Sequence, residues 1–351
     1  MPGEVTGEAL RTTPTARRNP SLADVAKVAG VSSQTVSRVV NGHGNVVAAT
    51  RERVLEALRA VGYRPNAAAR ALATGRSRAL GVLTFSVSRL GDVRSLSGIS
   101  TAASRAGYSI SLLSLREATT TGVDAGIAHL AGQDVDGLII IEAEVLDSPV
   151  FSVPPSVPLV VTDAVASQRY PNVDTDQAAG AALAVEHLLR LGHRTVHHVG
   201  GPRTSRAARE RQRSWESTLL AHGRPAPPAH VGDWTSASGY RIGRVLAQRP
   251  PGEVSAVFSA NDQMALGVLR AFHEAGADVP GDVSVVGFDD IAEAGDYWPP
   301  LTTVRQDFEG VGELCVSLLL DQIQHSGPVP ARTHRVPVQL VVRASTAPPR
   351  T

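Results

Sequence analysis

Residues 30–42, GVSSQTVSRVVNG, put Ser33, Gln34, Thr35, Ser37, Arg38 and Asn41 on one short stretch among valines. Gln and Arg are the side chains whose paired hydrogen bonds separate base edges in a major groove, Gln on adenine and Arg on guanine, with about 1–3 kcal/mol of discrimination for a good pair. The small hydroxyls beside them let a helix approach closely. A second polar set stands at the ends of apolar runs: Asp163 after VPLVV, Asn261 and Asp262 after AVFSA, Asp289 and Asp290 after VSVVGF. A carboxylate accepts two hydrogen bonds from adjacent hydroxyls, as a sugar presents them, and Trp234 in GDWTSASGY can stack its flat face on a pyranose ring. Structural roles compete with these. Asp262 and Asp290 read most readily as helix N-caps, Trp234 could fill a core, and Arg211 lies in an arginine-rich helix that could simply face water.

Catalysis has little in its favour. There is no G-x-S-x-G elbow, no P-loop and no Rossmann fingerprint. GHG at 42–44 reads as a loop between helices. His193 sits in the turn LGHR, and His197 and His198, adjacent on a strand, point to opposite faces, so no metal is expected. Asp163 and Asp289 could pair as acid and base, but a binding site uses them equally well. The chain reads as a binding protein needing no cofactor and not as an enzyme.

The groove-facing residues need a scaffold. SLADVAKVAG opens with Ser21 and, three residues on, Asp24, the capping-box pattern. It lines up Leu22, Val25, Ala26 and Ala29 on one face, and Gly30 ends it. Ser32 can cap the next helix, with Val36, Val39 and Val40 inward and Asn41-Gly42 at its end. TRERVLEALRAVGY makes a third, expected to be capped by Thr50 with Val54, Leu55, Leu58 and Val61 inward. Three short helices with a tight turn between the first two are a helix-turn-helix domain. RPNAAARALATGRSR follows, with helical propensity over only about nine residues before Gly75. Isolated helices need ~12–15, so this linker becomes helical only when something holds it.

From residue 79 the pattern changes. ALGVLTF, YSISLLSL, VDGLIII, VPLVVTD, TVHHVGG, VSAVFSAND and VSVVGFDD alternate with helices near 93–106, 121–132, 177–191, 205–222 and 262–276. That is the grammar of βαβ units and parallel sheets. About 270 residues of it is too much for one sheet, so two similar lobes are expected. Ligands of open α/β sheets bind beyond the carboxyl ends of the strands, where the second polar set stands.

Charge separates the same two parts. Residues 11–78 hold twelve Arg or Lys against three acids, a balance of +9, so the remainder carries −8 of the total of +1. A basic head on an acidic body meets a polyanion through the head alone. Hydrophobic residues make up 42% of the 351 but aromatics only 4%, so the core must be aliphatic. No apolar run nears the ~20 residues of a membrane span. The first twenty residues lack the apolar core of a signal peptide, and the lone Cys315 excludes an internal disulfide framework. A cytoplasmic protein without a membrane partner is expected.

LADVAKVAGVSSQTVSRVVNG, TRERVLEAL and GYRPNAAARAL, with GDWTSASGY, ANDQMALGVLRA, DVSVVGFDD and PPLTTVRQDF, resemble the LacI/GalR family of repressors from about residue 21 to 346. The resemblance implies an N-terminal all-α helix-turn-helix head on a periplasmic-binding-protein-like α/β body of two doubly wound parallel-sheet lobes. The expected divisions are a disordered arm at 1–19, the DNA-binding domain at 20–65 and a hinge helix or linker at 66–77. The first lobe would take 78–175 and 308–335, and the second 176–304 and 336–347. Ser33, Gln34 and Arg38 then fall at the main base-reading positions, with Ser33 where a family member has tyrosine, so one operator base is expected to be read differently. Thr35, Ser37, Asn41 and Thr50 fall at phosphate contacts, and Leu22, Ser32 and Tyr63 on the same DNA face. Asn66, Ala69 and Leu72 match the hinge helix in the minor groove, where Leu72 would wedge between the central base pairs and kink the DNA.

In the body, the resemblance implies an inducer site between the lobes formed by Asp163, Arg211, Trp234, Asn261, Asp289, Gln306 and Phe308. The wall on the first lobe departs from the family's apolar one. SRLGDVRS brings Arg89, Asp92 and Ser95 there, Ala207 replaces a serine and Thr175 an aromatic residue. With Arg89 and Asp92 added, the set implies a sugar, a galactoside or other glycoside, larger or more polar than the usual inducers. Two-fold pairing implies a homodimer on pseudo-palindromic double-stranded operator DNA, with two copies of 66–74 side by side. Sugar that closes the cleft would separate them, driven only by its unequal affinity for the two states. VVRASTAPPRT carries no leucine-rich tetramerising helix, so the assembly is expected to stop at the dimer. A periplasmic sugar-binding protein shares such a body but not the head. A purine corepressor fits Trp234 with Asp163, Arg211 and Asp289 less well than a sugar.

Overall fold

The structure, a computed structural model, describes residues 20–40, 46–63, 76–85, 90–115, 119–141, 157–163, 170–325 and 330–350. The arm at 1–19, Asn41-Gly42, the linker positions Asn66, Ala69 and Leu72, and Arg89 lie outside these residues. The chain divides into two units, Met1–Ser77 and Arg78–Thr351.

The first unit contains α1 (Leu22–Ala29), α2 (Ser33–Val40) and α3 (Ala48–Val61). Ser21 and Asp24 close the capping box, the Asp24 carboxylate accepting from the Ser21 backbone N–H at 2.8 Å. Gly30 ends α1 at φ 63°, a left-handed position where glycine carries no Cβ penalty. Ser32 caps α2, its Oγ accepting the Thr35 N–H at 3.2 Å. The core is Val25, Ala26, Ala29, Val36, Val39, Val54 and Ala57. Two expectations fail in α3. It begins at Ala48, so Thr50 lies inside the first turn and donates its N–H to the Val47 carbonyl instead of capping the helix. Leu55 is exposed and Ala57 takes the inward position, because α1 and α2 cover only one narrow face of α3.

In the second unit, β1 (Ala79–Thr84), β2 (Ser109–Ser114), β3 (Gly137–Ile140), β4 (Leu159–Thr162), β5 (Asn172–Thr175) and β11 (Thr333–Val336) form one parallel sheet in the order β11-β5-β4-β3-β1-β2. β3 and β4 are buried along their whole length, as apolar interior strands of a covered parallel sheet must be. On one face lie α4 (Leu90–Arg105) and α10 (Phe308–His325), packed through Ile99, Ala103, Val311, Cys315 and Leu319. On the other lies α5 (Thr120–Ala131), through Val123, Ile127 and Leu130.

The second lobe repeats the plan with β6 (His197–Gly200), β7 (His230–Val231), β8 (Ala256–Ser259), β9 (Ser284–Asp289), β10 (Thr302–Gln306) and β12 (Val338–Val341), ordered β12-β10-β9-β8-β6-β7. All pairs are parallel except β10 with β12. α6 (Gln177–Arg190) and α7 (Arg206–Ala221) cover one face through Ala184, Leu188, Trp215 and Leu219. α8 (Ser236–Ala247) and α9 (Asp262–Glu274) cover the other through Leu246, Met264 and Val268.

The chain crosses between lobes after β5, after β10 and between β11 and β12. Against the expected lobe ranges, β10 continues to Gln306 in the second sheet, and Val336 belongs to the first.

Candidate functional site

On α2 the valines face inward, and Ser32, Ser33, Gln34 and Arg38 stand exposed on the opposite side. Thr35 and Ser37 are half-buried, and the Thr35 hydroxyl is shared with Ser32 at 2.9 Å. Thr50 is half-buried in the first turn of α3. Leu22 and Tyr63 pack against the head core, so much of each side chain is used within the head. The expected base-reading trio is thus free to touch a partner, whereas Leu22 and Tyr63 offer only part of their surface.

A cavity of about 580 Å³ opens between the two lobes of the body, within the range usual for small-molecule sites. Asp92, Asp163, Arg211, Trp234, Asn261, Asp289, Gln306 and Phe308 all line it. Ser95, Thr175 and Ala207, the positions of departure from the family pattern, line it as well.

A ring of hydrogen bonds, completed by one ion pair, forms much of its inner wall. Arg211, buried on α7, donates Nε to Gln177 Oε1 at 2.7 Å and Nη1 to the Ala260 carbonyl. Its Nη2 lies 3.6 Å from Asp289 Oδ1. Gln306 donates Nε2 to the same Asp289 oxygen at 2.6 Å. Gln306 Oε1 accepts from Thr175 Oγ1 at 2.5 Å and from Gln177 Nε2 at 3.1 Å. Gln177 also donates to Thr175 at 2.6 Å, closing the circuit. Thr175 and Gln177 flank the first crossing and Gln306 opens the second, so the ring ties two of the three crossings to the cavity wall.

Aromatic faces hold the guanidinium from two sides. Arg211 sits 3.7 Å from the Phe288 ring centroid and 5.6 Å from that of Trp234. The Trp234 ring lies against Gly201, where any Cβ would overlap it. Asn261 donates Nδ2 to the Trp234 carbonyl at 3.0 Å while its Oδ1 caps α9 at the Met264 N–H. Asp163, Trp234 and Asp289 have φ of 53°, 70° and 109°. Such backbone at a non-glycine residue costs about 1–3 kcal/mol and tends to gather at ligand sites.

The local electrostatics follow from burial. Desolvation pushes the Asp289 carboxyl above its usual range, opposed by Arg211 and Gln306. Desolvation and the neighbouring Asp289 push Asp262 up to about 8, although Thr303 and the Ile291 N–H donate to it at 2.6 and 2.9 Å. Asp233, which also lines the cavity, is held down at about 2 by hydrogen bonds from Thr235 and Ser238.

Two capping assignments change. Asn261, not Asp262, is the N-cap of α9; Asp262 is the first helical residue and turns inward to Thr303 and Ile291. Asp290 caps nothing and holds Arg305 and Arg343, each at 2.6 Å. Trp234 is half-buried with its ring on the cavity, and Arg211 is buried rather than solvated. Asp174, Gln177 and Ser205 line the cavity but carried no sequence signal, since each sits in a stretch without a recognisable motif. Short of a motif, the signal present for Asp174 is VDT itself, an Asp and a Thr at the carboxyl end of a strand. His193 is a structural residue, its ring between Ser255 at 3.0 Å and Ser284 at 3.1 Å. Among the described residues, no group of three or more His, Cys, Asp or Glu could hold a metal ion, and no helix is long and apolar enough to cross a membrane.

Residues 21–66 match the family described as bacterial regulatory proteins, lacI family, and residues 185–346 match a periplasmic binding protein-like domain. The lactose operon repressor of Escherichia coli strain K12 is 36% identical over 335 residues, covering 94% of this chain and 92% of its own length. The HTH-type transcriptional regulator CelR of Thermobifida fusca is 35% identical over 335 residues, covering 90% and 95%. Among solved structures, the lac repressor dimer bound to operator and the anti-inducer ONPF superposes with a TM-score of 0.80 at 34% identity, over 94% of this chain and 100% of that one.

Proposed function

The chain belongs to the lacI family of bacterial regulatory proteins and is a DNA-binding transcriptional repressor; within that class, we propose that it represses carbohydrate-utilisation genes and leaves its operator when a glycoside, a galactoside in the first instance, fills the cavity between the lobes. The observation that carries this reading is the cavity wall. A sugar needs paired acceptors and donors fixed at hydroxyl spacing and a flat apolar face. Asp289, Arg211 and Asn261 are preset by the ring and the α9 cap, and Trp234 supplies the face.

In this reading the protein acts as a homodimer. Two copies of α2 enter successive major grooves of a pseudo-palindrome, with Ser33, Gln34 and Arg38 on base edges. The body leaves Trp298 92% exposed, and an indole that open suits burial against a second copy. Ligand bound by both lobes favours one lobe arrangement over another. The three crossings then carry the difference toward residue 78, and residues 66–74 are proposed to transmit it to the DNA.

Calorimetry on the full chain tests the ligand class. Glycosides are expected to bind with saturable heats that Asp289→Asn abolishes. Binding of purines or amino acids, with none from any glycoside, would overturn the assignment.

A further inference from the structure

One ion pair joins the two lobes at the cavity itself. Asp174 lies on β5 of the first lobe and Arg206 is the first residue of α7 in the second. Arg206 Nη2 meets Asp174 Oδ2 at 2.5 Å, with side chains only 9% and 2% exposed. Arg206 Nε donates to Glu210 Oε1 at 3.0 Å. Burial works against the Arg206 charge, but Asp174 and Glu210 outweigh it and raise its pKa. The pair is therefore charged and rigidly placed.

Only one of the two Asp174 oxygens is served. Oδ1 is buried and meets no hydrogen-bond partner, although Asp174 lines the cavity. Native proteins rarely leave a buried acceptor unmatched, and a carboxylate oxygen less readily than most. What can satisfy it is a donor delivered through the cavity: a hydroxyl does so, whereas an alkyl chain or a phenyl ring desolvates it further. Beside it the first-lobe wall presents Asp92, Ser95 and Thr175, also buried and polar. The wall across the cavity, with Arg211, Asn261 and Asp289, already accounts for one sugar ring.

Resting on the sugar reading given above, we propose that Asp174, held in place by Arg206, is a specificity-determining residue that makes the effector a disaccharide, its second ring donating a hydroxyl to Asp174 Oδ1, and discriminates against alkyl and aryl glycosides. Arg206 is a positioning residue that fixes the carboxylate from the opposite lobe.

The test is calorimetry on the full chain with two matched pairs of probes: lactose against phenyl β-galactoside, and cellobiose against phenyl β-glucoside. The wild-type protein should prefer the disaccharide of whichever pair it binds by about tenfold or more, the scale of one hydrogen bond to a charged group. The double variant Asp174→Leu/Arg206→Leu removes the pair without stranding either charge. It should lose about 10- to 100-fold on the disaccharide and stay within about threefold on the phenyl glycoside, whose retained binding also reports an intact fold. If the double variant does not fold, Asp174→Asn alone should show the same selective loss, smaller in size. Equal losses on both probes, or an unchanged disaccharide affinity, would overturn the role of Asp174 while leaving the sugar site standing. A wild-type protein that binds no glycoside at all would remove both.

Discussion

At the scale of single residues, function rests on side chains fixed before any partner arrives. Gln34 and Arg38 stand exposed on a helix whose valines are locked into the head core, so their presentation costs little further order. Arg38→Ala should therefore lose about 1–3 kcal/mol of discrimination at one base pair of each half-site. Binding to operators substituted at single positions checks this: affinity for the best operator should fall while that for the variant at the matching position does not. In the body the same economy appears as the ring around Arg211, where every donor used on the cavity wall has its orientation set by a second bond. Much of this was legible from residue types. Asp163, Trp234, Asn261, Asp289 and Gln306 line one cavity because each sits at or near a strand end, and Arg211 reaches it from α7. The exchange between Asn261 and Asp262 was not legible. Both types cap helices equally well, and only the buried Thr303 hydroxyl, 41 positions away, draws Asp262 inward. The pairing of Asp174 carries no sequence signal for a similar reason, since its partner Arg206 comes from the other lobe.

At the scale of elements, tight contacts and buried rings set stability. α8 and α9 approach so closely that a Cβ at Gly267 would overlap the Ser236 carbonyl and the Tyr240 N–H. Gly267→Ala should destabilise the body by about 2–3 kcal/mol, as overpacking a core does. Urea unfolding read by tryptophan fluorescence follows this directly, since Trp215, Trp234 and Trp298 all lie in the body. On β6, His198 is fully buried, stacked on Trp215 and Phe258 at 5.1 and 4.9 Å, with Nδ1 3.0 Å from the Phe258 carbonyl. Burial lowers its pKa from 6.5 to about 4. The unfolded chain then binds the proton that the folded one refuses, so this contribution is complete above pH 6.5 and is lost as pH falls toward 4. The loss amounts to about 3 kcal/mol across that window. His198→Phe should flatten the acid limb of stability between pH 6.5 and 4, whereas an unchanged slope would show that His198 titrates normally. The strands and helices from ALGVLTF to VSVVGFDD were legible because βαβ periodicity is strong. β5, β7 and α8 were not, since each is short or carries glycine and serine where a pattern needs apolar residues. Thr50 does not cap because α3 already begins at Ala48, two residues before it.

At the scale of the molecule, charge and architecture divide the work. The basic balance of residues 11–78 makes DNA binding salt-dependent, with a log–log slope set by the phosphates engaged. The body's two sheets are joined by three short crossings, two of them tied together by Thr175, Gln177 and Gln306. A ligand gripped by both lobes must therefore act on the same few residues that connect them. The coupling typical of such switches, about 1–3 kcal/mol, corresponds to a change of about 5- to 150-fold in the affinity at the distant site. The most direct measurement is fluorescence anisotropy of the full-length protein on a palindromic operator duplex, titrated with a glycoside that calorimetry has shown to bind. The account predicts operator affinity falling by about tenfold or more at saturation, with Asp289→Asn still holding the operator but no longer releasing it. Operator affinity unchanged with the cavity filled, or no duplex bound at all even at low ionic strength, would contradict it.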